Sequence, residues 1–164
     1  DNGELARTSW KASVQIFGAA LADFHRWDYE GEGSVAPAGY LGHFEVPFEE
    51  TCHTPLFVVS EILVSGQVRH RTFYILNYEA EKGCLFTRPG TKLSLDVAGD
   101  TATVTNTGPL PAVAVNIGRP GHLDTFRASD NYFWLDAGER RTVDVNAARG
   151  LTVSAWNAPE TAPS

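Results

Sequence analysis

The stretch Leu93-Ser94-Leu95-Asp96-Val97-Ala98-Gly99-Asp100-Thr101-Ala102-Thr103-Val104-Thr105 decides the fold class. Leu93, Leu95 and Val97 alternate with Ser94 and Asp96, small residues turn the chain at Ala98-Gly99-Asp100, and Ala102 and Val104 then alternate with threonines. Successive side chains of a strand point to opposite faces, so a period of two marks a strand with one buried face and one wet face. Two such runs joined by a glycine turn predict a β-hairpin.

The same period recurs on both sides. From Trp10 to Ile16, the positions Trp10, Ala12, Val14 and Ile16 face one way and Lys11, Ser13 and Gln15 the other, and a shorter strand is predicted from Leu41 to Val46. Phe57 to Val64 is nearly continuous apolar sequence, Ser65-Gly66 punctuates it, and Val68 to Leu76 runs back as a second hairpin, with His70 mid-strand on the face of Val68 and Thr72. Further strands are predicted at Val113 to Ile117, Tyr132 to Leu135, Val143 to Val145 and Leu151 to Trp156. Valine and threonine number 14 each, and turn signals recur at intervals of about 8 to 12 residues, the spacing of a sandwich. The chain therefore reads as all-β, in two antiparallel sandwich units: residues 1–86, and residues 87–164 with a tail that frays from about Ala158. Asn77 to Gly83 is predicted as a helical connector. Ala19 to Trp27 is the other stretch with tolerable helix formers, and Glu30-Gly31-Glu32-Gly33 reads as a loop tip.

Composition excludes several functions. With 13 Lys+Arg against 20 Asp+Glu the net charge is -7, and the clustered positive charge that a phosphate backbone requires is missing, so no nucleic acid partner is expected. No apolar run approaches the roughly 18 residues of a membrane helix, and no membrane partner is expected. Methionine is absent, so Asp1 is not a translation start and the chain is expected to be a processed product or a piece of something longer. Cys52 and Cys84 cannot make a disulfide framework; whether they pair is left open by the sequence.

Chemistry-bearing patterns are sparse. His25, His43, His53, His70 and His122 are scattered without metal-ligand spacing, and Asp28, Glu30 and Glu32 lack the regular oxygen spacing of a calcium loop. No nucleophile elbow, phosphate loop or dinucleotide fingerprint occurs, so no cofactor, no metal and no catalytic residue is assigned. Sugar rings favour flat aromatic faces flanked by polar groups, and Trp27, Tyr29 and Tyr40 are the candidate stacking platforms.

Three strings carry more information. Ser129-Asp130-Asn131-Tyr132-Phe133-Trp134-Leu135-Asp136-Ala137-Gly138-Glu139-Arg140-Arg141-Thr142-Val143 resembles the segment that ends many family 2 glycoside hydrolases of the β-mannosidase and exo-β-glucosaminidase branch, where a Ser/Asp-Asn-Tyr/Phe-Phe string runs into a Leu-x-Pro-Gly-Glu turn and a final strand. Ala137 stands where the family usually has proline. Val104-Thr105-Asn106-Thr107-Gly108 resembles the family's Val-x-Asn-Thr-Gly step, and His70-Arg71-Thr72-Phe73-Tyr74-Ile75-Leu76 its Ser-Arg-Asn-Phe-Tyr-Trp segment. The three fall in the family's order over about residues 57 to 157.

The resemblance implies two immunoglobulin-like domains and no catalysis by this chain, because in such enzymes the catalytic glutamates lie in a central (β/α)-barrel. The implied role is that of a C-terminal accessory region of an exo-acting glycosidase, partnered by the remaining domains of that parent. It also implies that the first unit lacks an edge strand, since the family's penultimate domain opens with a strand ending near an Asn-Asp step, about where Asp1-Asn2 begins. The alternative is a freestanding carbohydrate-binding β-sandwich module, with carbohydrate as the partner. From the residues alone, Asn131 beside Asp130 can satisfy backbone groups at a sandwich corner, Tyr132, Phe133 and Trp134 supply large buried areas, and Gly138 permits a positive φ.

Overall fold

The computed structural model describes residues 9–21, 23–32, 43, 45, 55–76, 89–121 and 125–163. The chain divides into two compact units, Asp1–Cys84 and Leu85–Ser164. Every regular element in the described residues is a strand, and all pairings are antiparallel. The fold is all-β and immunoglobulin-like.

In the first unit, strands β1 (Ser9–Phe17), β2 (Asp23–Glu32), β3 (Leu56–Val64) and β4 (Gln67–Leu76) form one sheet in the order β2-β1-β3-β4. The β3–β4 hairpin closes through a two-residue turn in which Ser65 (φ 52) and Gly66 (φ 76) both take positive φ, the geometry that matches the right-handed twist of the flanking strands. One face of the sheet carries Ser13, Phe17, Phe57, Val59 and Glu61, all buried. Opposite it lie Ile16 and Leu56, buried, with Trp27, Tyr29, Val14 and Val58 partly so.

Three expectations change here. Asp23–Glu32 is a strand, so neither the helix over Ala19 to Trp27 nor the loop tip at Glu30 to Glu32 forms. Charged residues and glycine disfavour strands intrinsically, but the backbone hydrogen bonds of a full register with β1 override that preference. His70 and Val68 do not share a face: Ile62 pairs with His70 while Leu63 pairs with Val68, so Arg69 is a bulged residue that flips the alternation. The predicted strand at Leu41 to Val46 and the connector at Asn77 to Gly83 lie outside the described residues, apart from His43 and Glu45. So do Asp1-Asn2, Cys52, Cys84, His53 and His122.

The second unit is a sandwich of two sheets. One has the order β11-β10-β7-β8 and the other β5-β6-β9, from β5 (Leu93–Ala98), β6 (Thr101–Asn106), β7 (Ala112–Gly118), β8 (Phe133–Leu135), β9 (Arg140–Asp144), β10 (Thr152–Ala155) and β11 (Ala158–Thr161). Seven strands split four and three, with β6 beside β9 and β7 beside β10, make the crossed-over topology of an immunoglobulin-type sandwich. Between the sheets the inward residues meet in one core: Leu93, Leu95, Ala102, Val104 and Val143 of one sheet face Val115, Ile117, Phe133, Leu135 and Val153 of the other. The tail is a correction. Ala158–Thr161 does not fray but forms β11, because it pairs with β10 and buries Ala158 in the core.

The turn after β6 depends on a glycine for space rather than for φ. A Cβ on Gly108 would overlap the Thr91 hydroxyl and come within 2.6 Å of the Lys92 backbone nitrogen. Gly108→Ala is expected to destabilise the second unit by about 2 kcal/mol, as overpacking against backbone does. Urea denaturation of the variant checks it, and a loss below about 0.5 kcal/mol would show that the loop gives way freely.

Candidate functional site

Two of the strings that are distant in sequence converge on one side chain. Asn106, fully buried at the end of β6, accepts at Oδ1 from the Thr91 hydroxyl (2.9 Å) and the Gly108 backbone N–H (3.1 Å). Its Nδ2 faces three carbonyls, those of Leu110 (2.8 Å), Leu135 (3.1 Å) and Asp136 (3.1 Å). The Asn106 backbone completes the knot: its N–H donates to Glu139 O (2.9 Å) and its carbonyl accepts from Gly138 N–H (3.0 Å). Gly138, at φ 75, turns the chain so that this second bond forms.

The remaining polar residues of the strings are engaged in the same way. Asn131 clamps Ile117 of β7 from both sides, accepting from its N–H (2.7 Å) and donating to its carbonyl (2.9 Å). Asp130 accepts from the Asn131 N–H (2.8 Å) and pairs with Arg141, whose guanidinium lies 4.6 Å over the Phe133 ring. Asp136 accepts from the Trp134 indole N–H (2.8 Å), and Glu139 accepts from the Asp136 backbone N–H (2.8 Å). A third asparagine, Asn157, does for the β10–β11 turn what Asn106 does for β6, accepting from Val113 N–H (3.0 Å) and donating to Pro111 O (2.8 Å). Its sequence context, Ala155-Trp156-Asn157-Ala158, gave no sign of that role. Hydrolysis of a glycoside needs two carboxyl groups facing each other across a sugar. The carboxylates of this corner instead hold backbone, indole and guanidinium groups.

In the first unit a cavity of about 420 Å³ is lined by Ser9, Trp10, Lys11, Glu30, Glu32 and Leu63. The Trp10 ring lies directly on the β2 backbone, where a Cβ on Gly31 would come within 2.6 Å of it. Lys11 is committed to Asp28 (3.3 Å), as is Arg26 (3.1 Å). Desolvation acts to raise the Asp28 carboxyl, but hydrogen bonds from Arg26 and Lys11 outweigh it and hold the group below its ordinary value. Deeper on the same face, Glu61 and Arg71 form a buried ion pair, and the buried Ser13 hydroxyl has no hydrogen-bond partner among the described residues. Among the described residues no cluster of three His, Cys, Asp or Glu is arranged to hold a metal ion, and no helix is long and apolar enough to cross a membrane.

Of the stacking candidates, Trp27 and Tyr29 lie half-buried on one face of β2, and Trp27 packs against His25 with ring centroids 5.4 Å apart and planes tilted by 45°. Tyr40 lies outside the described residues. The most exposed aromatics among the described residues are others: Tyr74, Tyr132 (63% exposed) and Trp156 (51% exposed). Tyr132 corrects the expectation that it is buried beside Phe133 and Trp134. Its φ of 58° breaks the strand alternation one residue before β8 begins, so it does not follow Trp134 into the interior. Nothing in the residue pattern signals that break.

Residues 86–161 match the family model of the mannosidase Ig-fold domain. No curated protein sequence matches the chain. Among solved structures, the chain is similar to the exo-chitosanase CsxA of Amycolatopsis orientalis, with a TM-score of 0.67 and 15% identity over 100% of this chain and 24% of that one. A structure of the exo-beta-D-glucosaminidase CsxA with a glucosamine-configured castanospermine matches at TM-score 0.65 and 14% identity, again over 100% and 24%. A complex of the A. orientalis enzyme with PNP-beta-D-glucosamine gives the same TM-score of 0.65, 14% identity and the same coverage, 100% and 24%. The chain thus spans about a quarter of the length of these enzymes, and at such identities the likeness establishes the fold.

Proposed function

Residues 86–161 being a mannosidase-type Ig-fold domain, we propose that the chain is a non-catalytic accessory region of a β-mannosidase-like family 2 glycoside hydrolase, packing against or supporting a catalytic barrel outside these 164 residues. The parent is an exo-acting glycosidase, and its remaining domains are the partner of this chain. The observation that carries the reading is the corner at Asn106: the residues by which the strings resemble that family hold backbone in place. A motif whose asparagine and carboxylate side chains serve the fold is a motif of architecture. Its role is to present a rigid sandwich to the neighbouring domains.

Two measurements test this. The intact protein from the natural source is expected to exceed 17.8 kDa severalfold. The purified chain is expected to hydrolyse neither an aryl β-D-glucosaminide nor an aryl β-mannoside. Turnover that survives rigorous removal of contaminating glycosidases, and disappears when a carboxylate of this chain is mutated, would refute the proposal.

A further inference from the structure

We propose that Tyr132 is a carbohydrate-stacking platform that takes the flat C–H face of a pyranose. The inference stands on this chain alone, whether or not a catalytic domain accompanies it. Tyr132 is 63% exposed and holds a left-handed backbone, φ 58, that glycine adopts without strain and a bulky side chain does not. Such strain persists only where the surroundings over-determine it, and it concentrates at ligand sites.

The surroundings here do over-determine it. On one side Asn131 is fixed to both the N–H (2.7 Å) and the carbonyl (2.9 Å) of Ile117, and its own N–H to Asp130 (2.8 Å). On the other side Phe133 is buried with the Arg141 guanidinium 4.6 Å from its ring centroid, and Arg141 in turn holds Asp130. The backbone between these anchors holds the exposed ring at a fixed place.

The kind of surface points to sugar rather than to protein. Among the described residues of the second unit, the exposed large hydrophobics are Tyr132 and Trp156, both aromatic, whereas the first unit also exposes Ile62 and Val68. Protein docking surfaces are contiguous apolar patches. A single exposed flat ring suits a pyranose, which offers an apolar C–H face and hydroxyl edges in one small ligand. From Leu85 to Ser164 the chain holds seven Lys+Arg and eight Asp+Glu, so this unit is close to neutral and stacking, not charge, should set the affinity.

Affinity electrophoresis of the whole chain in native gels tests the proposal, with soluble glucomannan as a neutral probe and glycol chitosan as a cationic one. Glucomannan is expected to retard the wild-type chain. Tyr132→Ala and Tyr132→Gly are each expected to weaken that retardation at least tenfold, while Trp156→Ala serves as the comparison ring. Tyr132→Gly is also expected to raise the melting temperature, because glycine relieves the strain. No retardation of the wild type, or equal retardation of the wild type and both variants, would overturn the proposal. So would retardation by glycol chitosan alone, the mark of a polycation drawn to a chain of net charge -7. A melting temperature lowered by Tyr132→Gly would likewise overturn it, by making the ring part of the packing.

Discussion

Trp134→Ala is expected to destabilise the second unit by roughly 3 to 5 kcal/mol, the range for removing a large aromatic from a packed interior. Trp134 is 1% exposed, the largest fully buried side chain among the described residues, so its removal leaves a cavity that a rigid sheet cannot collapse to fill. The substitution also removes the indole N–H that Asp136 accepts at 2.8 Å. Trp134→Phe separates the two effects. It keeps most of the apolar volume and loses the hydrogen bond, and should cost about 1 to 2 kcal/mol. Urea denaturation followed by circular dichroism measures both variants. A cost for Trp134→Ala under about 1 kcal/mol would mean that the ring lies on a surface in solution.

Asn106→Ala should be of similar size, roughly 3 to 5 kcal/mol, for a different reason. Little apolar area is lost. What changes is that the buried hydrogen bonds of the amide are lost: the Leu135 carbonyl loses the amide donor at 3.1 Å, the Gly108 N–H is left with the Lys92 carbonyl at 3.3 Å, and the Leu110 carbonyl is left with the Thr91 hydroxyl at 2.9 Å. Each lost buried hydrogen bond costs about 0.5 to 1.5 kcal/mol, and a group left unsatisfied about 1 to 3 kcal/mol. Asn106→Asp is the sharper variant, since it keeps the acceptor for Thr91 and Gly108 but turns an acceptor toward the carbonyls. If polar satisfaction is what matters, Asn106→Asp fares no better than Asn106→Ala at neutral pH. An Asn106→Asp protein as stable as the wild type would show that water replaces the amide.

Local chemistry was enough to place most of the second unit. Leu93 to Thr105 reads correctly because each strand alternates on its own and the turn between them carries a glycine at φ 58, so no distant residue is needed to specify the hairpin. The β3–β4 hairpin is legible at Ser65-Gly66 for the same reason. Asp23–Glu32 was not legible as a strand: the helix formers at Ala19 to Ala22 suggested a helix running to Trp27, and the charge and glycine content after it a loop. Its conversion to a strand depends on β1, which supplies the hydrogen bonds that the local preference lacks. Ala158–Thr161 has the same history, since a proline and a charge read as a tail until β10 lies beside them.

The amino-acid sequence by itself determined the all-β class, the hairpins and the inward residues of the second sandwich, because period-two alternation and turn chemistry act over a few residues and carry their own physical warrant. Tertiary structure alone decided that Asn106 joins two strings about 30 residues apart, that Arg69 bulges and separates Val68 from His70, and that Tyr132 leaves the interior while Trp134 stays. Each of these depends on which carbonyl or N–H is left without a partner once the strands have paired. That condition is a property of the assembled sheets, and no short window of residues contains it.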